Sequence, residues 1–177
     1  MRKRARRMTR GAVLALASLA APVVAPPAHA DVRSISNGFE AADIGTWDRL
    51  AGGDGQAGFE IGTGSARYGQ GNGWLSATRG WARVGAWASC GRGFRYCTAR
   101  IYVKPVQDLQ FELRVWTPQG RQLISTAPWL TANGTYHLVQ VEWTAEEDSN
   151  NFVESIIGAN GTPRAVRLDD LSVVCAN

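Results

Sequence analysis

The sequence RAVRLDDLSVV, which spans Arg164–Val174, decides the fold class of this chain. Apolar and polar residues alternate along it and valines are frequent, a pattern that predicts a β-strand with one buried face. Successive side chains of a strand point to opposite faces, so Asp169 and Asp170 cannot both reach solvent unless the strand bulges there. We therefore expect an inward carboxylate or a bulge at this pair. An inward carboxylate requires a partner, because an unpaired buried charge is strongly disfavoured.

The same alternation recurs along the rest of the chain, with turn signals between the runs. Residues 95–104 and 109–116 both alternate clearly, and the pairs Asn133-Gly134 and Asn160-Gly161 separate other strand-like runs. Asn-Gly between alternating runs is the strongest short signal for a hairpin. Extended helical periodicity is absent from the sequence. Many short strands with regular turns predict an all-β fold, either a sandwich or a barrel.

The first thirty residues have the pattern of a secretory signal peptide. A basic start precedes an apolar run over residues 12–24, and Ala28-His29-Ala30 forms a small-residue cleavage site. The apolar run is too short for a membrane span and contains Pro22. We therefore expect residues 1–30 to be a signal peptide, residues 31–177 to form a single domain, and the mature protein to be extracellular.

Removal of this signal would reverse the charge of the chain. The first thirty residues hold six of the 19 basic residues and none of the 15 acidic residues, which leaves 13 basic against 15 acidic residues. A slightly acidic domain lacks the clustered lysine and arginine that nucleic acid or an anionic membrane surface would require. We expect neither of these partners, and we expect a monomer.

Three cysteines follow the signal, so one is left over if the others form a disulfide in an oxidising compartment. Cys90 and Cys97 flank a glycine-containing loop between two strand-like runs. We predict that these two are bonded and that Cys175 is a free thiol.

Four motifs occur in a familiar order along residues 31–177. They are NGFE at Asn37–Glu40, YCTARIYVK at 96–104, GTYHLVQVEWTA at 134–145 and VRLDDLSVV at 166–174. Together they resemble the jelly-roll carbohydrate-binding modules that accompany bacterial cellulases and xylanases, namely the galactose-binding-like β-sandwiches of families 4/9 and 22. The resemblance implies two antiparallel sheets packed face to face in a jelly-roll β-sandwich, and a sugar cleft across one sheet.

The resemblance also implies a structural calcium site near the ends of the chain. Calcium takes six to eight oxygen ligands, and carboxylates supplemented by backbone carbonyls provide them. The candidate ligands are Glu40, Asp169 and Asp170, which lie at the two ends of the predicted domain.

Sugar binding requires aromatic rings flanked by polar side chains, because the rings cover the apolar faces of pyranoses while polar groups bind the hydroxyls. Alternation places Trp116 on the polar face of its strand, opposite the apolar positions, whereas Trp143 shares a face with valines and is predicted to lie in the core. Two further positions, Arg79 and Trp81, correspond to cleft residues of some relatives. The predicted sugar-binding residues are Trp116, Arg114, Tyr102, Arg79, Trp81 and Glu154.

These residues favour a non-catalytic domain that binds a plant-type or microbial polysaccharide or oligosaccharide. One alternative is a small secreted glycoside hydrolase that uses two carboxylates among Glu112, Glu142 and Glu154, although nothing in the sequence pairs them. Another alternative is an extracellular protein-interaction domain of the same fold.

Overall fold

The computed structural model of the protein describes residues 32–146 and 150–177, so the predicted signal peptide lies outside the described residues. The described residues form strands and a single turn of 3₁₀ helix at Ile44–Thr46. In chain order the strands are β1 (Val32–Asn37), β2 (Trp47–Gly53), β3 (Gln56–Ile61), β4 (Gly71–Ser89), β5 (Tyr96–Pro105), β6 (Leu109–Gln110), β7 (Glu112–Trp116), β8 (Gln122–Thr126), β9 (Trp129–Leu130), β10 (His137–Thr144) and β11 (Asn150–Ala176).

Two long strands, β4 and β11, run through both layers of the molecule. Residues 150–160 of β11 pair with residues 79–89 of β4, and the register then shifts before residues 164–168 pair with residues 73–77. The paired residues 150–160 and 79–89 belong to a sheet with the order β2-β4-β11-β7-β8, which we call the front sheet. The paired residues 164–168 and 73–77 belong to a back sheet with the order β10-β5-β11-β4-β3, in which β1 also pairs with the end of β11. All of these pairings are antiparallel, and the predicted all-β sandwich is confirmed.

The hydrophobic core lies between these two sheets. The inward positions of the front sheet include Val84, Val115 and Val153, and those of the back sheet include Ile101 and Val166. In β5, for example, the buried residues Cys97, Ala99, Ile101 and Val103 fall on every second position, as burial of one strand face requires. The predicted core position of Trp143 is confirmed, because only 8% of its surface is exposed.

The Asp169–Asp170 pair interrupts β11 in the way the sequence predicted. Asp169 is fully buried, and the register between β11 and β5 shifts between Asp169 and Ser172. Asp170 has a φ of 49°, in the left-handed region that non-glycine residues seldom occupy. The strand therefore both buries one carboxylate and bulges at the other.

The predicted Cys90–Cys97 disulfide is wrong. Cys97 is bonded to Cys175, and Cys90 is a buried free thiol. Strands β4 and β5 are not neighbours, because β11 lies between them in the back sheet. Cys97 and Cys175 instead occupy directly opposite positions of β5 and β11, with their Cα atoms 4.1 Å apart. A short separation in sequence did not correspond to a hairpin.

Candidate functional site

An open cleft of about 640 Å³ lies on the outer face of the front sheet. It is lined by side chains from three adjacent strands, together with the residue at the end of β6. The residues that carry its chemistry are Trp81 and Arg83 of β4, Gln110 of β6, Glu112, Arg114 and Trp116 of β7, and Glu154 of β11.

Strand register brings these residues onto one face. Glu154 is directly opposite Gly85 on one side and Arg114 on the other, and Ile156, two residues further along β11, is opposite both Arg83 and Glu112. Residues that face each other across antiparallel strands share a face, as do residues two apart in one strand. The outward side chains of the three strands therefore form one surface.

Glu154 is the centre of the cleft. It is only 4% exposed, and its Oε1 accepts a 2.7 Å hydrogen bond from Nη1 of Arg83. Its Oε2 accepts a 3.0 Å bond from the indole Nε1 of Trp116, and Nη1 of Arg114 lies 3.7 Å from the same oxygen. A buried carboxylate is tolerated when both oxygens are paired in this way. The network fixes one tryptophan and two guanidinium groups relative to each other.

Arg114 connects this centre to a second carboxylate. Its Nη2 donates a 2.7 Å hydrogen bond to Oε2 of Glu112, and this bond lowers the pKa of Glu112 below its ordinary value. The same bond raises the pKa of Arg114. The buried Nε of Arg114 has no hydrogen-bond partner among the described residues. The cleft thus combines fixed charges of both signs, whose remaining N–H groups and oxygen lone pairs can bind hydroxyl groups.

Two tryptophans provide apolar area in the cleft. A Cβ atom on Gly52 would lie 2.6 Å from Nε1 of Trp81, so the indole of Trp81 rests directly against the backbone of β2. Trp116 is held by its bond to Glu154. Indole rings that are fixed in this way lose little conformational entropy when a ligand covers them.

Four of the six predicted sugar-binding residues come together in the cleft: Trp81, Arg114, Trp116 and Glu154. Tyr102 does not, because β5 belongs to the back sheet, where the guanidinium of Arg67 stacks 3.6 Å from the centre of the Tyr102 ring. Arg79 does not line the cleft either. It lies where β4 passes between the sheets, and its backbone N–H donates to Oδ1 of Asp54.

The sequence analysis missed Arg83, which supplies the shortest bond to Glu154. Alternation along β4 places Arg83 on the same face as Trp81, so a signal for it was present in the sequence. Nothing local marked it as the partner of a glutamate 71 residues further along the chain.

Two of the three acids considered for a hydrolase, Glu112 and Glu154, lie in the cleft, while Glu142 is on β10 of the back sheet. A glycosidase requires a general acid whose pKa is raised. The pKa of Glu112 is shifted in the opposite direction by Arg114, and both oxygens of Glu154 are occupied by donors. This arrangement suits binding better than acid catalysis.

The predicted calcium ligands lie around the loop of residues 65–70 but do not fit a calcium ion as they are arranged. Glu40 accepts hydrogen bonds from the backbone N–H groups of Gln70 and Gly71, and Asp170 accepts a 2.7 Å bond from Nη1 of Arg67. Oδ2 of Asp169 accepts the backbone N–H groups of Arg67 and Tyr68. No group of three His, Cys, Asp or Glu side chains in residues 32–146 and 150–177 is placed to hold a metal ion. Calcium binding at these residues therefore stays a prediction from the sequence.

Asp169 is fully buried beneath that loop. Burial raises the pKa of Asp169, and the backbone hydrogen bonds from Tyr68 and Arg67 oppose this shift. The nearby Tyr136 donates a 2.8 Å hydrogen bond to the carbonyl of Ser65, and burial raises its pKa to about 12. These contacts tie the loop to the back sheet.

Solved structures with a similar fold include several carbohydrate-binding modules. No protein-family model matches the chain, and no curated protein matches it. Among solved structures, the carbohydrate-binding module TmCBM61 in complex with β-1,4-galactotriose has a TM-score of 0.58 at 11% identity, over 77% of this chain and 92% of that one. The CBM22-1 xylan-binding domain from Paenibacillus barcinonensis has a TM-score of 0.54 at 17% identity, over 81% and 94% of the two chains.

A third similar structure has a different context. The K1 adhesin domain of Lys-gingipain from Porphyromonas gingivalis has a TM-score of 0.56 at 11% identity, over 80% of this chain and 97% of that one. At such identities the likeness establishes the fold, which these proteins share with the present chain. Within the described ranges, no helix is long and apolar enough to cross a membrane.

Proposed function

We propose that this protein is an exported, non-catalytic domain that binds a polysaccharide in the cleft of its front sheet. The observation that carries the proposal is the network around Glu154, which holds Trp116 and two arginines on an open face. A buried ion network on an outer sheet face is costly to assemble and is most simply explained by a ligand that uses it.

The chemistry of the cleft suits a sugar chain. Four of its five charged residues are paired with one another: Arg83 with Glu154, and Arg114 with both Glu112 and Glu154. The fifth, Arg164, donates a hydrogen bond to the carbonyl of Gly158. Paired groups still have free hydrogen-bonding positions for hydroxyls, and Trp81 offers an apolar ring face beside them. The similarity in fold to a galactotriose-binding module and to a xylan-binding domain supports the same class of ligand. Export, as residues 1–30 suggest, would place the domain where polysaccharides occur.

The proposal is tested by affinity electrophoresis of the chain from residue 31 onward in gels that contain β-1,4-galactan, xylan, mixed-linkage β-glucan or mannan. We expect retardation in at least one gel. We also expect its loss in Trp81→Ala and Trp116→Ala, because a truncated aromatic anchor costs more than about 1 kcal/mol of binding free energy.

The matched control is Tyr96→Ala, which removes a 67% exposed aromatic side chain at the start of β5 in the back sheet. It should be retarded like the wild type. Migration of the wild type at its free rate in every gel would contradict the proposal and would favour a protein-interaction domain instead. Release of reducing sugar would favour the hydrolase.

A further inference from the structure

The cleft face continues beyond β7 onto the small sheet formed by β6 and β9. Gln110 of β6 is directly opposite Trp129 of β9. Directly opposed residues of an antiparallel pair project from the same face, so the indole of Trp129 stands on the side of the sheet on which Gln110 lines the cleft. Trp129 is 61% exposed, and no feature of its two-residue strand marked it in the sequence.

Trp129 ends a row of positions that crosses the strands. Gly52 of β2 is opposite Trp81 of β4, and Trp81 is opposite Gly158 of β11. Gln110 and Gly158 both line the cleft, each two residues beyond the opposed pair Glu112–Ile156. Trp81 and Trp129 are therefore separated by about three strand spacings, or roughly 14 Å between backbones.

Between the two tryptophans, the row contains Gly158, which has no side chain. A Cβ atom on Gly158 would meet only the carbonyl oxygen of Gly80, at 3.9 Å, so there is room directly above its Cα atom. The guanidinium of Arg164, which also lines the cleft, donates a 3.0 Å hydrogen bond to the carbonyl of Gly158. The amide of Gln110 donates a 3.2 Å hydrogen bond to the carbonyl of Ala127, and this bond ties β6 to the segment that leads into β9. Trp129 is not among the residues that line the cleft, and the row from Trp81 to Trp129, which we call the trough, therefore extends past the cleft and has an indole at each end.

We propose that Trp129 is a second aromatic platform for sugar, and that the bound chain crosses the strands from Trp81 over Gly158 and Gln110 to Trp129. This inference rests on the proposed function and specifies its ligand. Only a linear glycan of several pyranose units reaches both tryptophans, whereas a disaccharide reaches one at a time. Isolated exposed tryptophans are common on protein surfaces, but Trp129 is aligned with a cleft and held by backbone pairing.

The position of Trp129 is fixed by its neighbours. Leu130, the other residue of β9, is buried in the core and is opposite the buried Leu109. The backbone N–H of Phe111 donates to the carbonyl of Pro128, directly before Trp129. Replacement of the Trp129 side chain therefore leaves these anchors intact, and the variant should fold.

Isothermal titration with the disaccharides and hexasaccharides of β-1,4-galactan, β-1,4-xylan, mixed-linkage β-glucan and β-1,4-mannan tests the proposal. We expect the wild type to bind one of the hexasaccharides more tightly than the matching disaccharide. Trp129→Ala should lose about tenfold or more in affinity for that hexasaccharide and remain unchanged for the disaccharide that Trp81 binds. Tyr96→Ala should match the wild type with both probes.

A second pair of variants tests the path of the chain. Gly158→Leu places a side chain in the middle of the trough and should abolish hexasaccharide binding, whereas Gly158→Ala makes only an ordinary contact and should bind nearly as the wild type does. Equal hexasaccharide affinity in Trp129→Ala and the wild type would overturn the role of Trp129 while leaving the proposed function standing. A wild type that binds none of these probes would overturn both.

Discussion

Two fully paired carboxylates, one in each sheet, illustrate different ways of burying a charge. Glu154 in the front sheet is surrounded by side chains, namely Arg83, Arg114 and Trp116. Asp169 in the back sheet is surrounded by backbone N–H groups, two from the loop of residues 65–70 and one from Asp170. Side-chain donors can be shared with a ligand, whereas backbone donors enclosed under a loop cannot. The first arrangement is suited to the binding proposed above, and the second to structural support.

The largest expected effect is on stability at Asp169. Asp169→Asn replaces one accepting oxygen with an NH₂ group that faces a backbone donor unable to turn away. At least one buried donor then loses its partner, which costs about 1–3 kcal/mol in the free energy of unfolding. Urea denaturation followed by tryptophan fluorescence measures this cost. A variant as stable as the wild type would show that the loop does not depend on this carboxylate.

The corresponding change in the cleft, Glu154→Gln, should weaken ligand binding more than it lowers the free energy of unfolding. Arg83 also lies 3.5 Å from Asp48, and Arg114 keeps its bond to Glu112, so both arginines retain partners. We expect a smaller loss in unfolding free energy than for Asp169→Asn, because the side-chain donors can reorient toward their remaining partners. Binding in the polysaccharide gels should nevertheless fall clearly, since the one remaining oxygen can accept from Arg83 or from Trp116 but not from both, and the NH₂ group faces a donor at the other position. Unchanged retardation would show that the charge of Glu154 is not needed for binding.

Much of the division between the cleft face and the core was predictable from the sequence, and the predictions that were wrong have physical causes. Alternation established that Trp116 and Arg114 point outward and that Trp143 points inward, because the period of a strand fixes side-chain direction. It also placed Tyr102 outward, correctly, but alternation gives the face of a strand and not the sheet to which the strand belongs. Tyr102 therefore lies on the opposite side of the sandwich from the cleft.

The remaining failures concern pairing between distant parts of the chain. The bond between Cys97 and Cys175 joins positions 78 residues apart, and the ion pair of Arg83 with Glu154 spans 71 residues. Neither leaves a local trace in composition or spacing. Trp129 lies in a strand too short to have a period, so only the register with Gln110 assigns it to the cleft.

A smaller effect is expected for calcium at the back-sheet loop. Arg67 supplies the cation that Asp170 contacts, so a chelator should leave the melting temperature of the wild type unchanged. Arg67→Ala removes that cation and should lower the melting temperature by a few degrees, with added calcium restoring part of the loss if the freed carboxylate binds the ion. Differential scanning calorimetry with calcium and with chelator measures both shifts. A fall in the wild-type melting temperature on chelation would instead support the calcium site predicted from the sequence.

The smallest effect is the response of the two regions to pH, which should have opposite signs. Burial raises the pKa of Asp169, so the folded state holds its proton more tightly than the unfolded state. The stability that Asp169 contributes is therefore fully present at acid pH and is lost as the pH rises through the folded pKa. The bond from Arg114 lowers the pKa of Glu112, so the stability that Glu112 contributes is present at neutral pH and is lost as the pH falls through that lowered value.

Unfolding free energies of the wild type, Asp169→Asn and Glu112→Gln between pH 7 and pH 3 test both signs. On acidification the deficit of Asp169→Asn relative to the wild type should grow, and that of Glu112→Gln should shrink, because neither variant titrates at the replaced position. If both deficits move in the same direction, the pKa values of the two carboxylates are not shifted in opposite directions, and the prediction is wrong.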